Sequence, residues 1–365
     1  MFALAVSSQV SQRVSSYDNA LLVLYRLRRG QREEAGQLLQ ALAALQREDG
    51  SIPFTFHWPK PEADNAYVRS GAVAWVGYAA VEYLDADRAG PAREAIIRLA
   101  HGVAKFLMDR QVASPGDARD GLVLGGIGAY ALELIDGEPR ERYTPGEVAW
   151  ASTEHNIDAY FFLRDFAKLT GEARFARAAQ RIAAALLARG FSAEAGQLVQ
   201  GLAQTGADEG HALDCASWGA LFLLAAGDTL RAETALGSAE WRYLSREPAS
   251  GALGHKPYAH AAIIANPALA THFANAAVNN WDQVEGVWPE GSAGVALANL
   301  RLGRRQRAQE ILAQLEKVRA PDGGLPTFTA EVPVDFDRLP SLAGTVWIEL
   351  VRYEIERGAE TLWRR

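Results

Sequence analysis

Two kinds of helical segment alternate along the chain. The first is apolar on nearly every side, as in AVAWVGYAAVEYL and ASWGALFLLAAG, and the second carries Arg, Glu and Gln along one face. A helix that is apolar all round must be buried, whereas an amphipathic one covers it from outside. Residues 18–30 precede QREEAGQLLQALAALQ, and residues 66–83 precede a helix over residues 92–108. Residues 154–169 turn through Thr170 and Gly171 into ARFARAAQRIAAALL, and residues 214–226 turn through Gly227 and Asp228 into RAETALGSAEWRYL. Residues 290–302 turn at Gly303 into RAQEILAQLEKV, and residues 342–356 form a last apolar helix whose partner is expected in the N-terminal segment. This pattern predicts an all-α (α/α)6 toroid of inner and outer helices, one domain over residues 1–365, with long loops at one mouth. A tetratricopeptide superhelix would use shorter, regular repeats, whereas here long loops over residues 113–150 and 247–279 intervene. Long, unequal loops on such a scaffold usually build a ligand site.

Two segments match each other across the chain. Asp49-Gly50-Ser51-Ile52-Pro53-Phe54 follows the first hairpin, and Asp322-Gly323-Gly324-Leu325-Pro326-Thr327 follows the fifth. An Asp-Gly turn leading into an extended run reads as repeat punctuation, a chain reversal that sends the backbone onto the next helix.

Polar residues recur at one height of the apolar helices. Asp18 stands 12 residues before Gly30, whereas Asp158, Asp214 and Glu290 stand 13 before Gly171, Gly227 and Gly303. At 1.5 Å per residue that is about 20 Å, the length of an inner helix, so the carboxylates should gather at the end opposite the turns. Acids favour helix N-termini for their own sake. Here, however, they have aromatic neighbours in Tyr17, Tyr160, Trp218 and Trp288, and the second pair offers Arg69 and Trp75 instead. Aromatic faces beside hydrogen-bonding carboxylates suit a carbohydrate, whose C–H faces stack while its hydroxyls need acceptors.

The densest segment is Trp150-Ala151-Ser152-Thr153-Glu154-His155-Asn156-Ile157-Asp158-Ala159-Tyr160. Ser152 or Thr153 caps the helix, placing Glu154 in the first turn and Asp158 one turn on, at i and i+4 of one face. Two carboxylates this close push one pKa upward, which keeps a proton donor protonated near neutrality. Glu154 is therefore the candidate general acid and Asp214 the preferred base, with Asp158, Asp18 and Glu290 as further rim carboxylates. A capping-box role for Glu154 is the competing structural reading. Asp18, Arg69, Trp75, His155, Asn156, Tyr160, Trp218 and Trp288 are candidate substrate-binding residues, with His155 and Asn156 expected to project away from the Glu154 face.

Composition narrows the partners. A net charge of -7 argues against nucleic acid and anionic membranes, both of which select basic faces. No stretch reaches the ~18 apolar residues of a membrane helix. The start, MFALAVSSQVSQRVSS, has neither the basic leader nor the apolar length of a secretory signal, which leaves the compartment open. Cys215, the single cysteine, rules out an intrachain disulfide and reads as a small core residue. His211, His255 and His260 are too scattered along the chain to suggest a metal, and the paired histidines of a zinc helix are missing, so neither metal nor cofactor is expected. Nothing in the sequence sets the oligomeric state.

With YDNALLVLY and QREDGS near the start, STEHNIDAYFFL in the middle, ALDCASWGALFL, and VEGVWPEGSAGVALA towards the end, the chain resembles the six-hairpin glycosidase superfamily. That group includes bacterial endoglucanases, chitosanases and endo-β-1,2-glucanases. The resemblance covers most of the chain as hairpin architecture and carries over no catalytic residue by motif identity. It implies a carboxylic acid and a carboxylate base in the barrel mouth, cleaving a polysaccharide or oligosaccharide, such as a β-glucan or bacterial exopolysaccharide, with inversion as the commoner outcome. Hydrolysis of that kind places the two carboxyl groups ~6.5–9.5 Å apart. Two other readings use the same scaffold. A polysaccharide lyase or sugar epimerase would use His155, Asn156, His211 and Tyr160, and a non-catalytic protein of an exopolysaccharide system would bind glycan without cutting it.

Overall fold

In the computed structural model, residues 12–60, 67–273, 278–332 and 336–364 are described, and twelve α-helices are found among them. The chain divides into two compact units, one drawn from residues 1–129, 143–190 and 201–208 and the other from residues 130–142, 191–200 and 209–365.

The first unit holds α1 (Ser16–Arg28), α2 (Arg32–Ala43), α3 (Ser70–Ala86), α4 (Arg93–Asp109), α5 (Thr153–Thr170) and α6 (Ala173–Ala185). Helix α3 packs between α1 and α5, and α2, α4 and α6 each fold back on the helix before them. The burial follows the sequence pattern. Helix α3 is buried at every position from Ser70 to Leu84, whereas α4 buries one stripe through Ile96, Leu99, Val103 and Phe106. The second unit holds α7 (Leu213–Ala225), α8 (Thr229–Arg242), the short α9 (Pro267–His272), α10 (Pro289–Arg301), α11 (Arg305–Leu315) and α12 (Leu342–Arg357). Here α10 packs between α7 and α12, with α8 on α7 and α11 on α10. Each expected helix is present within a few residues of its predicted bounds. The expected partner of α12 falls largely on residues 1–11, outside the described residues, as does most of the start read for a secretory signal; Arg13–Ser15 is a strand.

The hairpin turns use left-handed backbone where the sequence offers glycine: Gly30, Gly171, Gly227 and Gly303 all have φ between 75° and 86°. A side chain there would meet its own carbonyl, which is why a glycine ends so many helices. At the other end, short strands precede the inner helices. Arg13–Ser15 pairs with Thr55–His57, Val68–Arg69 with residues 126–127, Ala151–Ser152 with residues 201–202, and His211–Ala212 with Tyr258–Ala259. Each pairing ties the entry of an inner helix to the segment that follows its outer helix. The matched Asp-Gly turns belong to this scheme. Asp49 accepts from Ser51 N and Asp322 from Gly324 N, and Gly50 and Gly323 share a φ of 85–90°.

One expected loop is not a loop. Within residues 113–150, Gly126–Ile135 and Glu138–Val148 form a long antiparallel ribbon closed at Asp136-Gly137, both with positive φ. Asp-Gly between alternating runs is a hairpin signal in its own right. Cys215 is buried. Among the described residues no helix is long and apolar enough to cross a membrane.

Candidate functional site

In the first unit the acids stand at the N-terminal ends of the inner helices. Ser15 caps α1 and places Asp18 in its first turn; Ser152 caps α5 by accepting from His155 N at 3.4 Å. With Ser152 as the cap, the third helical residue is His155. Glu154 therefore falls one position short of a capping-box partner, and its carboxylate is released for other work. The N-termini of the three inner helices meet there. A Cβ on Gly71, the second residue of α3, would lie 2.4 Å from His155 Cδ2 and 2.9 Å from Asp158 Oδ2, so only glycine lets α3 approach α5 this closely. The Tyr17 ring of α1 meets Trp75 of α3 edge-on at 5.6 Å.

Electrostatics separates these groups. Burial pushes the Glu154 carboxyl up to about 7, although the residue keeps a partial opening to solvent. Burial also raises Asp18 to about 6 against the lowering effect of its hydrogen bond with Ser15. His155 is driven the other way, to about 4, by burial and then by the Arg69 charge, so its imidazole is neutral at physiological pH. Arg69 donates to Gly128 O at 3.1 Å and stands over the Tyr67 ring at 4.7 Å, which fixes a cation beside this group. The site thus contains a carboxyl whose pKa burial raises to about 7, a neutral imidazole and a guanidinium at the ends of adjacent helices.

Several candidates turn out to have structural positions. Asn156 is fully buried and does not face a ligand: its amide accepts from Val123 N at 2.8 Å and donates to Val123 O and Ser152 O, strapping α5 to the incoming chain. We expect Asn156→Ala to cost about 2 kcal/mol in urea or thermal unfolding, because it strands buried backbone groups. A loss below about 0.5 kcal/mol would contradict the strap. His155 does not project away from the Asp158 face, since both side chains flank Gly71. Trp75 and Trp218 are each 2% exposed and offer no sugar platform. Trp218 stacks on Trp347 at 5.3 Å and meets Trp363 edge-on at 5.1 Å, a packed aromatic core. Tyr160 is likewise buried, its ring edge-on to Phe161. Trp288 keeps partial exposure beside a cluster of Trp281, Phe328 and Phe336, so it remains an aromatic candidate.

In the second unit Asp214 and Glu290 occupy the first turns of α7 and α10, the former buried and the latter partly exposed. These helix starts adjoin one another: a Cβ on Gly291 would lie 2.7 Å from Leu213 Cδ2, and Gly344 at the start of α12 faces Pro289 and Glu290 N. Sequence reasoning missed a group beside them. His211, three residues before Asp214, meets the His260 ring edge-on at 5.5 Å, because its strand pairs with Tyr258–Ala259, which His260 directly follows. His260 Nδ1 is 2.8 Å from Asp282 Oδ2, and Lys256 Nζ is 3.8 Å from Asp282 Oδ1. The separation of these residues in sequence hid the group; the signal available was only that His211 stands two residues before the start of α7. His255 is apart from it, wholly buried and held neutral with its pKa lowered to about 4, chiefly by burial. No cluster of three or more metal-ligating side chains is found among the described residues.

No family model matches the chain, and no curated protein matches it. Solved structures do. A glycosidase variant in complex with glucose is 13% identical and superposes with a TM-score of 0.63, covering 97% of this chain and 91% of that one. An α-amylase from Clostridium perfringens is 11% identical with a TM-score of 0.61, covering 95% and 90% of the two chains. A GH76 α-mannanase from Bacteroides thetaiotaomicron is 11% identical with a TM-score of 0.56, covering 95% and 89%. Likeness at this level, over nearly the whole length of each chain, shows the fold: this is an all-α protein of the (α/α)6 toroid class.

Proposed function

We propose that the chain is a glycoside hydrolase that cleaves a polysaccharide or oligosaccharide by carboxylate acid/base chemistry, with residues 1–365 acting as one catalytic domain. The observation that carries this reading is Glu154: a carboxyl at the tip of an inner helix, not committed to capping, held protonated near neutrality by burial while still reachable from solvent. Such a group can protonate a departing glycosidic oxygen. Asp158 stands one turn along the same helix, as a further carboxyl of this group. Asp214 is the preferred base and Glu290 the reserve, with Asp18 and Arg69 contacting substrate and His155 serving as a neutral hydrogen-bonding partner. The glycosidases, mannanase and amylase that share the fold support the same chemical class.

A product screen tests the reading directly. Incubation with β-glucans, chitosan, α-mannan and bacterial exopolysaccharides should release new reducing ends from at least one of them. NMR of the first-formed anomer would then separate inversion from retention. Binding of a glycan without any bond cleavage would replace the hydrolase reading with that of a glycan-binding protein.

A further inference from the structure

The indole of Trp150 has no part in the acid/base chemistry described above, yet it sits at the start of the helix that carries Glu154. Ala151–Ser152 pairs antiparallel with residues 201–202, Ser152 opposite Gly201. Side chains directly opposite each other in such a pair point to the same face. Ser152 uses that face to cap α5 through His155 N. A Cβ on Gly201 would lie 2.4 Å from Trp150 Cε2 and Cζ2 and 2.6 Å from its Nε1. The indole therefore rests on the backbone of Gly201, on the face of the strand pair from which α5 sets out. Glu154 follows four residues later, no more than about 14 Å along the chain.

Its backbone is tied down on both sides. Trp150 O accepts from Gly125 N at 2.8 Å, and Gly125 O accepts from Ser70 N at 3.1 Å, so one residue links Trp150 to the start of α3. Arg119, in a bidentate pair with Asp117, donates to Ala149 O at 2.7 Å. The indole Nε1 is enclosed and has no acceptor among the described residues, while the residue as a whole stays partly exposed. Whatever side-chain surface Trp150 exposes is therefore hydrocarbon. Trp75 and Trp218, by contrast, are each 2% exposed. An aromatic surface with no polar atom to satisfy, fixed near a proton donor, suits the C–H face of a sugar ring.

We propose that Trp150 is the stacking platform of the glycan site, holding one pyranose ring of the substrate by its C–H face, and that Gly201, lacking a Cβ, provides the seat for the indole. This role rests on the hydrolase reading for what happens to the bond, but not for what the indole holds. No bond is made or broken at the platform. Its loss weakens the ground state and the transition state alike, so it raises KM and leaves kcat nearly unchanged.

Calorimetry tests the inference on the full-length Glu154→Gln chain, which suppresses turnover, with β-gluco-, chito- and α-manno-oligosaccharides as probes. At least one should bind, and adding Trp150→Ala should weaken its Kd about tenfold or more. Trp150→Phe removes the unpaired N–H and keeps a ring, so it should fold as well as its parent and lose less affinity. Gly201 lacks left-handed backbone, so an alanine there is opposed first by the indole. Gly201→Ala should therefore unseat the ring and weaken binding, yet cost nothing further when added to Trp150→Ala, because both remove the same contact. Should Trp150→Ala fail to fold, Gly201→Ala carries the test alone. Failure of every oligosaccharide to bind overturns the proposal. So does a Kd moved less than about twofold by Trp150→Ala, or effects of the two substitutions that simply add. The bond chemistry is read separately, from wild-type products. Binding that depends on Trp150 without any cleavage leaves the platform standing and removes the hydrolase reading. Cleavage with a KM unmoved by Trp150→Ala does the reverse.

Discussion

Replacing Glu154 with Gln is expected to lower kcat on the identified glycan by about 10²–10⁴-fold, the range over which a positioned general acid contributes, while leaving folding and glycan affinity nearly unchanged. Glutamine keeps the shape and the hydrogen-bonding reach of the side chain but has no proton to give. The wild-type pH profile should carry the signature of the same group. Because burial raises the Glu154 pKa to about 7, the donor is protonated below that value and loses its proton as the pH rises through it, so kcat/KM should fall on the alkaline side with an apparent pKa near 7. Stability should respond in the same window. The folded carboxyl binds its proton more tightly than the unfolded one, whose reference value is 4.5, so the stability contribution of this group declines as the pH rises from about 4.5 to about 7. Asp18, raised from 3.8 to about 6, acts in the same direction over a lower interval. Steady-state kinetics of the wild type and the variant across pH checks the kinetic expectations, and urea unfolding between pH 4.5 and about 7 checks the stability trend. Near wild-type turnover would remove Glu154 from the chemistry and return the search to Asp18, Asp214 and Glu290.

Removing the Glu354 carboxylate should give the largest loss of stability. On α12 this side chain is 2% exposed and meets Arg301 of α10, itself buried, in a bidentate ion pair. It also receives Thr361 N at 2.7 Å, Leu362 N at 2.6 Å and the Thr361 hydroxyl at 3.1 Å, so it gathers the C-terminal segment onto the helix pair. Glu354→Ala leaves a buried guanidinium with only the more distant Glu360 carboxylate, 3.8 Å away, as counter-charge, and two backbone donors without an acceptor. We expect a loss of about 3–5 kcal/mol in chemical or thermal unfolding. A double variant, Glu354→Leu with Arg301→Met, should recover part of that loss, since two apolar side chains of similar volume remove the stranded charge along with the pair. If the double variant is no more stable than Glu354→Ala, the backbone donors of the C-terminal segment, and not the unpaired charge, dominate the cost.

The hairpin architecture was legible because it is written locally. An inner helix such as α3 shows apolar residues on all sides and α4 shows them on one, and each difference is confined to 17 residues of contiguous sequence. The glycines that end the helices and the acids that begin them are also local signals, set by backbone sterics and by the helix dipole. Counting back 13 residues from Gly227 and Gly303 therefore located the starts of α7 and α10 without any knowledge of their neighbours, whereas the same count from Gly171 fell on Asp158, five residues inside α5. Even the ribbon over residues 126–148 had its mark in Asp136-Gly137, passed over inside a segment read as loop.

What the chain order could not express is which side chains meet after long separations. Trp218 looked like a sugar platform because it stands near Asp214, yet the approach of Trp347 and Trp363 encloses it. Asn156 looked like a ligand contact because it stands beside Glu154 and His155, yet Val123 takes its amide. His211 and His260 looked scattered, and a strand pairing puts their rings together. Periodicity states that a position is buried or exposed relative to its own helix. Whether a buried polar or aromatic group serves the core or a ligand depends on the partners that tertiary packing brings to it. The sequence by itself determined the helical hairpins, their turns and the acids at the inner helix starts, through local sterics and amphipathicity. Only the tertiary structure decided which of those side chains stay available for chemistry, because burial and partnership are properties of contacts between segments that are distant in the chain.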